Sequence, residues 1–75
     1  GWWDRMHKMI TRIKIGTRRQ NSIVERVYTG TFDETCKADI EYIEWLRKHG
    51  KLVQVMSREE FVDGVPSGWN VRTLM

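Results

Sequence analysis

The sequence is poor in the features that staple or partition a chain. Its 75 residues include one cysteine, Cys36, and one proline, Pro66. A lone thiol closes no internal disulfide, and Cys36 with two distant histidines, His7 and His49, lacks any metal-ligand spacing. No metal or other cofactor is therefore expected. No run is apolar enough for a membrane span and none reads as a leader. With a single free thiol this points to a reducing compartment, the cytoplasm being the expected one. There is no repeat and no low-complexity tract. Gly16-Thr17-Arg18-Arg19 lacks the spaced glycines and the terminal Lys-Ser/Thr of a phosphate-binding loop.

What remains reads as one domain over residues 1–75, with 1–8 and 65–75 as flexible or docking termini. A domain of this length hides only about 60% of its unfolded surface. Its stabiliser is then packing or self-association, and a homo-oligomer is open to it. Thirteen Lys and Arg stand against ten Asp and Glu. The excess is uneven: residues 1–30 carry seven bases and two acids, 31–50 three and five, 51–75 three and three. A basic first third is either an ordinary solvated face or a surface that steers an anionic partner.

The clearest element begins at Thr31-Phe32-Asp33-Glu34, where Thr31 and Glu34 have capping-box spacing. Cys36, Ile40, Ile43 and Leu46 then form one stripe. Acids lie at the positive end of the dipole, Arg47, Lys48 and His49 at the negative end, and Gly50 follows as a terminator. The spacing predicts a helix over about 32–49. Upstream, residues 9–15 and 22–29 are rich in β-branched residues and roughly alternate, which predicts an antiparallel hairpin around a basic loop. Trp2, Trp3, Met6, Met9, Ile10 and Ile13 also fit a basic amphipathic helix over 2–14, a form that would suit a membrane surface; the isoleucines and the downstream strand favour β. A third strand is expected over about 52–56. Ser57-Arg58-Glu59-Glu60 repeats the capping-box spacing and predicts a short helix over about 58–63. Residues 65–75 read as an edge strand or a tail.

Together these give a small α+β module, β-β-α-β with a short extra helix, the main helix lying on one sheet face. If Ile13, Ile15, Ile23, Val27, Val53 and Val55 point at the helix, the opposite face shows Ile10, Arg12, Lys14, Val24, Arg26, Tyr28 and Gln54. Two functions follow. The first is a small non-catalytic binding module or regulator that meets a protein, or another copy of itself, through exposed indoles: Trp45, Trp69, Trp2 and Trp3. Four tryptophans exceed what so small a core accommodates. The alternative is nucleic-acid binding on the basic hairpin face, with Arg12, Lys14, Arg18, Arg19 and Arg26 tracking phosphates and Tyr28 stacking on a base.

Catalysis is not expected. Cys36 falls on the core stripe with no histidine nearby in sequence, His49 sits in the last helical turn as a cap-region cation, and His7 reads as solvated surface. Glu59 and Glu60 are adjacent, so on a helix they point apart, and the capping reading already accounts for them.

Overall fold

The computed structural model describes residues 5–70. Four strands and one helix follow in the order β1 (His7–Gly16), β2 (Asn21–Gly30), α1 (Phe32–Lys48), β3 (Leu52–Val62) and β4 (Val65–Asn70). All strand pairs are antiparallel in one sheet of order β2-β1-β3-β4. Helix α1 carries the chain from outer β2 across β1 to β3. The α+β architecture expected from the sequence is the one observed, and residues 9–15 are extended rather than helical.

Local chemistry accounts for the ends of α1. The Glu34 amide donates to Thr31 Oγ1 (3.2 Å) and the Thr31 amide donates to Glu34 Oε1 (3.0 Å), a complete capping box. The same contacts with Thr31 hold the Glu34 carboxyl below its ordinary value. At the far end the Gly50 amide donates to Arg47 O and the Lys51 amide to Leu46 O, both at 3.0 Å. This is the paired bond pattern of a Schellman motif, with Gly50 at φ +79° in the left-handed region.

The buried stripe of α1 is Thr35, Asp39, Ile43 and Leu46, turned from the expected one; Cys36 and Ile40 are half-buried on its flank. An interior ion pair sets that phase. Arg58 Nε of β3 donates to Asp39 Oδ2 at 2.6 Å, with both side chains fully buried.

Residues 58–63 form no helix. Residues 58–62 continue β3, because Asp63-Gly64 closes a hairpin with φ +51° and +82°, the positive pair that a two-residue primed turn requires, and Val62 and Val65 face each other across it. The Asp-Gly signal outweighs the capping spacing of Ser57 and Glu60. The chain past Gly64 is thus an edge strand as far as Asn70, Pro66 being tolerated because β4 is outermost. The β1–β3 register also shifts: Ser57 faces Arg12 and Val55 faces Ile13, so Met56 is an extra residue. This bulge keeps Val53 and Val55 on the helix side and brings Arg58, Glu60 and Val62 there as well.

The face assignment of β2 is likewise corrected. Loop residues 17–20 pair Gly16 with Asn21, so odd positions of β1 face even positions of β2: Met9 opposes Tyr28 and Ile13 opposes Val24. Tyr28, Arg26 and Val24 therefore point toward the helix, while Ile23 and Val27 point away. Among the described residues the core comprises two apolar clusters. One is Met9 and Tyr28 with Phe32, Cys36 and Ala38; the other is Ile13, Ile43 and Leu46 with Ile15, Tyr42, Val53 and Val55. Buried Thr11, Thr35, Asp39 and Arg58 add a polar component to the same interior.

Replacing Gly50 by alanine tests the cap. A Cβ there meets nothing within 4 Å, so the cost is conformational alone. Urea denaturation is expected to show a loss of about 1 kcal/mol with an unchanged slope.

Candidate functional site

Helix α1 covers one face of the sheet, and among the described residues no element covers the other. That open face carries Lys8, Ile10, Arg12 and Lys14 from β1, Ile23, Glu25, Val27 and Thr29 from β2, and Leu52, Gln54, Glu59 and Phe61 from β3. Three of its apolar members are well exposed, Ile23 by 67%, Val27 by 55% and Leu52 by 74%, with the bulge residue Met56 at 43%. Two of its three cations have local partners. Arg12 Nε donates to Glu25 Oε2 at 3.0 Å, and Lys8 Nζ lies 5.6 Å from the centre of the Phe61 ring. Near the β1–β2 turn a hollow of about 200 Å³ is bordered by Lys14, Gly16, Asn21, Leu52, Val53 and Gln54.

A second feature lies along the flank of α1 beside β2. The Arg26 guanidinium sits 4.0 Å from the centre of the Tyr42 ring and 5.7 Å from that of Tyr28. Tyr42 stacks on Trp45 at 6.4 Å and Trp45 meets His49 at 4.3 Å, while His49 Nδ1 donates to the Trp45 carbonyl at 2.8 Å. Trp45 remains 54% exposed at the end of this row. Sequence reasoning isolated Trp45 but missed the row, although the three- and four-residue steps from Tyr42 to Trp45 to His49 mark neighbours on a helix.

The sequence-nominated residues thus separate. Trp45 is outward, as expected. The side chain of Trp69, whose backbone belongs to β4, lies outside the described part of the structure, as do Trp2 and Trp3. Arg12 and Lys14 are on the open face, and Arg18 and Arg19 are exposed in the β1–β2 loop. Arg26 and Tyr28 are on the helix side, Tyr28 buried, so the cation-and-tyrosine face expected of the hairpin is not formed. The residues that replace them, Ile23 and Val27, were available to a count of the loop that fixes the parity of β2.

The interior holds further titratable groups. His7, expected at the surface, is fully buried: its Nδ1 donates to Glu60 Oε1, and its ring packs edge-on against Phe32 at 5.7 Å. Ser67 Oγ donates to Glu60 Oε2 at 3.4 Å. Burial pushes the Cys36 thiol up, with the charges of Glu60 and Asp33 acting the same way, so the thiolate is disfavoured. Burial also pushes the Tyr28 hydroxyl up to about 12, aided by Asp39 and opposed by Arg26. Among the described residues no group of three or more His, Cys, Asp or Glu is placed to hold a metal ion, and no helix is long and apolar enough to cross a membrane. Comparison of the chain with protein-family models, with curated proteins and with solved structures finds no match.

Two measurements probe the interior. Asp39→Ala leaves the Arg58 guanidinium buried without its carboxylate and is expected to cost about 3 to 5 kcal/mol, whereas Arg12→Ala, at an exposed pair, costs less than about 1 kcal/mol; urea midpoints compare the two. Tyr28 supplies a pH signature. Its folded value exceeds the unfolded one, so the folded state retains a proton that the unfolded chain loses first, and stability falls as pH rises. Between pH 10 and 12 the loss is expected to reach about 2 to 3 kcal/mol, and Tyr28→Phe should flatten that part of the stability profile.

Proposed function

We propose that this chain is a non-catalytic protein-binding module that takes its partner on the open face of the sheet, with Trp45 as a second anchor beyond β2. One observation carries the reading. Among the described residues Met9, Ile13, Tyr28, Ile43 and Leu46 are the buried hydrophobics, whereas Met6, Ile23, Val27, Trp45, Leu52, Met56 and Val65 are large hydrophobics left exposed. Single exposed apolar side chains are ordinary, but here Ile23, Val27 and Leu52 share one face with half-buried Ile10 and Phe61. Covering a Val or Leu side chain completely is worth about 1.5 to 3 kcal/mol, so even partial cover of this group favours association.

Three features of the surface favour this reading over a polyanion. Arg12 is engaged by Glu25, Glu59 adds a second negative charge, and Tyr28 is turned inward. Strand β2 joins the two apolar regions, since Val27 faces outward from the sheet while its neighbour Arg26 supports Tyr42 on the helix side. A partner on the open face reaches Trp45 by wrapping around that outer strand.

Site-specific photocrosslinking in the native host tests the proposal. A photoreactive amino acid at Val27 is expected to yield a discrete protein adduct, while the same group at Lys37, on the solvated side of α1, yields none. Adducts to nucleic acid at position 27, or equal labelling from both positions, would remove the basis for the reading.

A further inference from the structure

We infer that the occupant of the open face is a second copy of this chain, packed sheet on sheet about a two-fold axis roughly parallel to the strands. The inference rests on the reading of that face as a protein-binding surface and adds the identity of the partner.

The distribution of charge over the strands is the first reason. On the open face β1 presents Lys8, Arg12 and Lys14 and no acid; β3 presents Glu59 and no cation; β2 adds Glu25. With the order β2-β1-β3-β4, the midline of the sheet runs between β1 and β3. A two-fold along the strands reverses the lateral order and preserves position along each strand. It therefore lays the cationic column of one copy over the column holding Glu59 and Phe61 of the other. A two-fold across the strands would instead set β1 on β1 and bring cations against cations, which costs several kcal/mol. The face is thus self-complementary in one orientation, and every contact is made twice.

Shape points the same way. Gly16 stands opposite Leu52 in the β1–β3 register, so the same operation carries Leu52 of one copy over Gly16 of the other, beside the hollow that Gly16 lines. Among the described residues Leu52 is the most exposed large hydrophobic, at 74%, and the hollow of about 200 Å³ has the volume for one side chain. Aligned face-to-face packing is also the ordinary arrangement of two twisted sheets. Strands of this length give a face of roughly 30 Å by 15 to 20 Å. Its corrugated area falls at or somewhat below the ~800 Å² per partner of a standard interface, which suits a dimer that dissociates in the micromolar range.

Sedimentation equilibrium of the full chain from low micromolar to millimolar concentration tests this. The expected result is a monomer–dimer equilibrium that Leu52→Glu and Glu59→Lys each weaken at least about tenfold and that Lys37→Ala, on the solvated side of α1, leaves unchanged, each variant retaining its circular dichroism. Crosslinking from Val27 is expected to give an adduct of twice the chain mass. A chain that stays monomeric throughout while Val27 labels a different protein overturns the homodimer and leaves the binding face standing. A dimer indifferent to both Leu52→Glu and Glu59→Lys, with no adduct from Val27, overturns both.

Discussion

The buried contact between Asp39 and Arg58 fixes the relation of helix to sheet. Arg58 reaches the interior only because the bulge at Met56 shifts the pleat of β3 by one residue. Without that bulge Arg58 and Glu60 would lie on the open face and Glu59 and Phe61 would turn inward. Asp39 in turn selects which face of α1 looks down, bringing Thr35, Ile43 and Leu46 in with it. A pair of this kind adds little net stability relative to apolar residues of the same volume, because two charges have left water. Its influence is on uniqueness, since any rotation of α1 or slip of β3 separates the charges and leaves both buried.

The rest of the interior shows the same reliance on polar contacts. His7 and Glu60 meet next to Met9, the residue opposite Glu60 in the sheet register. Thr11 sits between Arg26 and Arg58 on the neighbouring strands. Among the described residues the apolar core falls into two clusters rather than one. A domain of this length has little apolar burial to spare, so covering the second face is a direct route to further stability.

The sequence was most readable where the determinants are local. The Thr31–Glu34 box, the dipole-matched charges and Gly50 each lie within a turn of the end they specify, and the helix follows from them. The first hairpin was readable from β-branched runs around a glycine and an asparagine. The faces of β2 were not, because the inward side depends on the number of residues in the loop, and an error of one reverses every side chain. Residues 57–60 misled because a capping-box spacing also occurs in a strand; Asp63-Gly64 was the stronger signal, and it lay downstream. No local rule places His7, Asp39, Arg58 and Glu60 inside, since each finds its partner far along the chain. At the candidate site, Trp45 was legible as an outward residue, whereas Ile23, Val27 and Leu52 emerge as a surface only once strand order and register are known.

Strand β2 gives the strongest reason to regard the sheet as half of a larger structure. Its apolar residues come in adjacent pairs, Ile23 with Val24 and Val27 with Tyr28, so each pair places one member on either face. A sheet with one solvated side alternates apolar with polar, whereas strands covered on both sides carry apolar residues in succession. Strand β3 shows the same doubling, with Leu52 beside Val53 and Val55 beside Met56. The inner members of these pairs lie on the face that α1 covers. The outer members sit around a central cationic strand that has acids on both neighbours, a pattern suited to a neutral or self-complementary protein surface. Two strands, distant in sequence and joined through a third, thus share the composition of a layer enclosed on both sides, and α1 encloses only one.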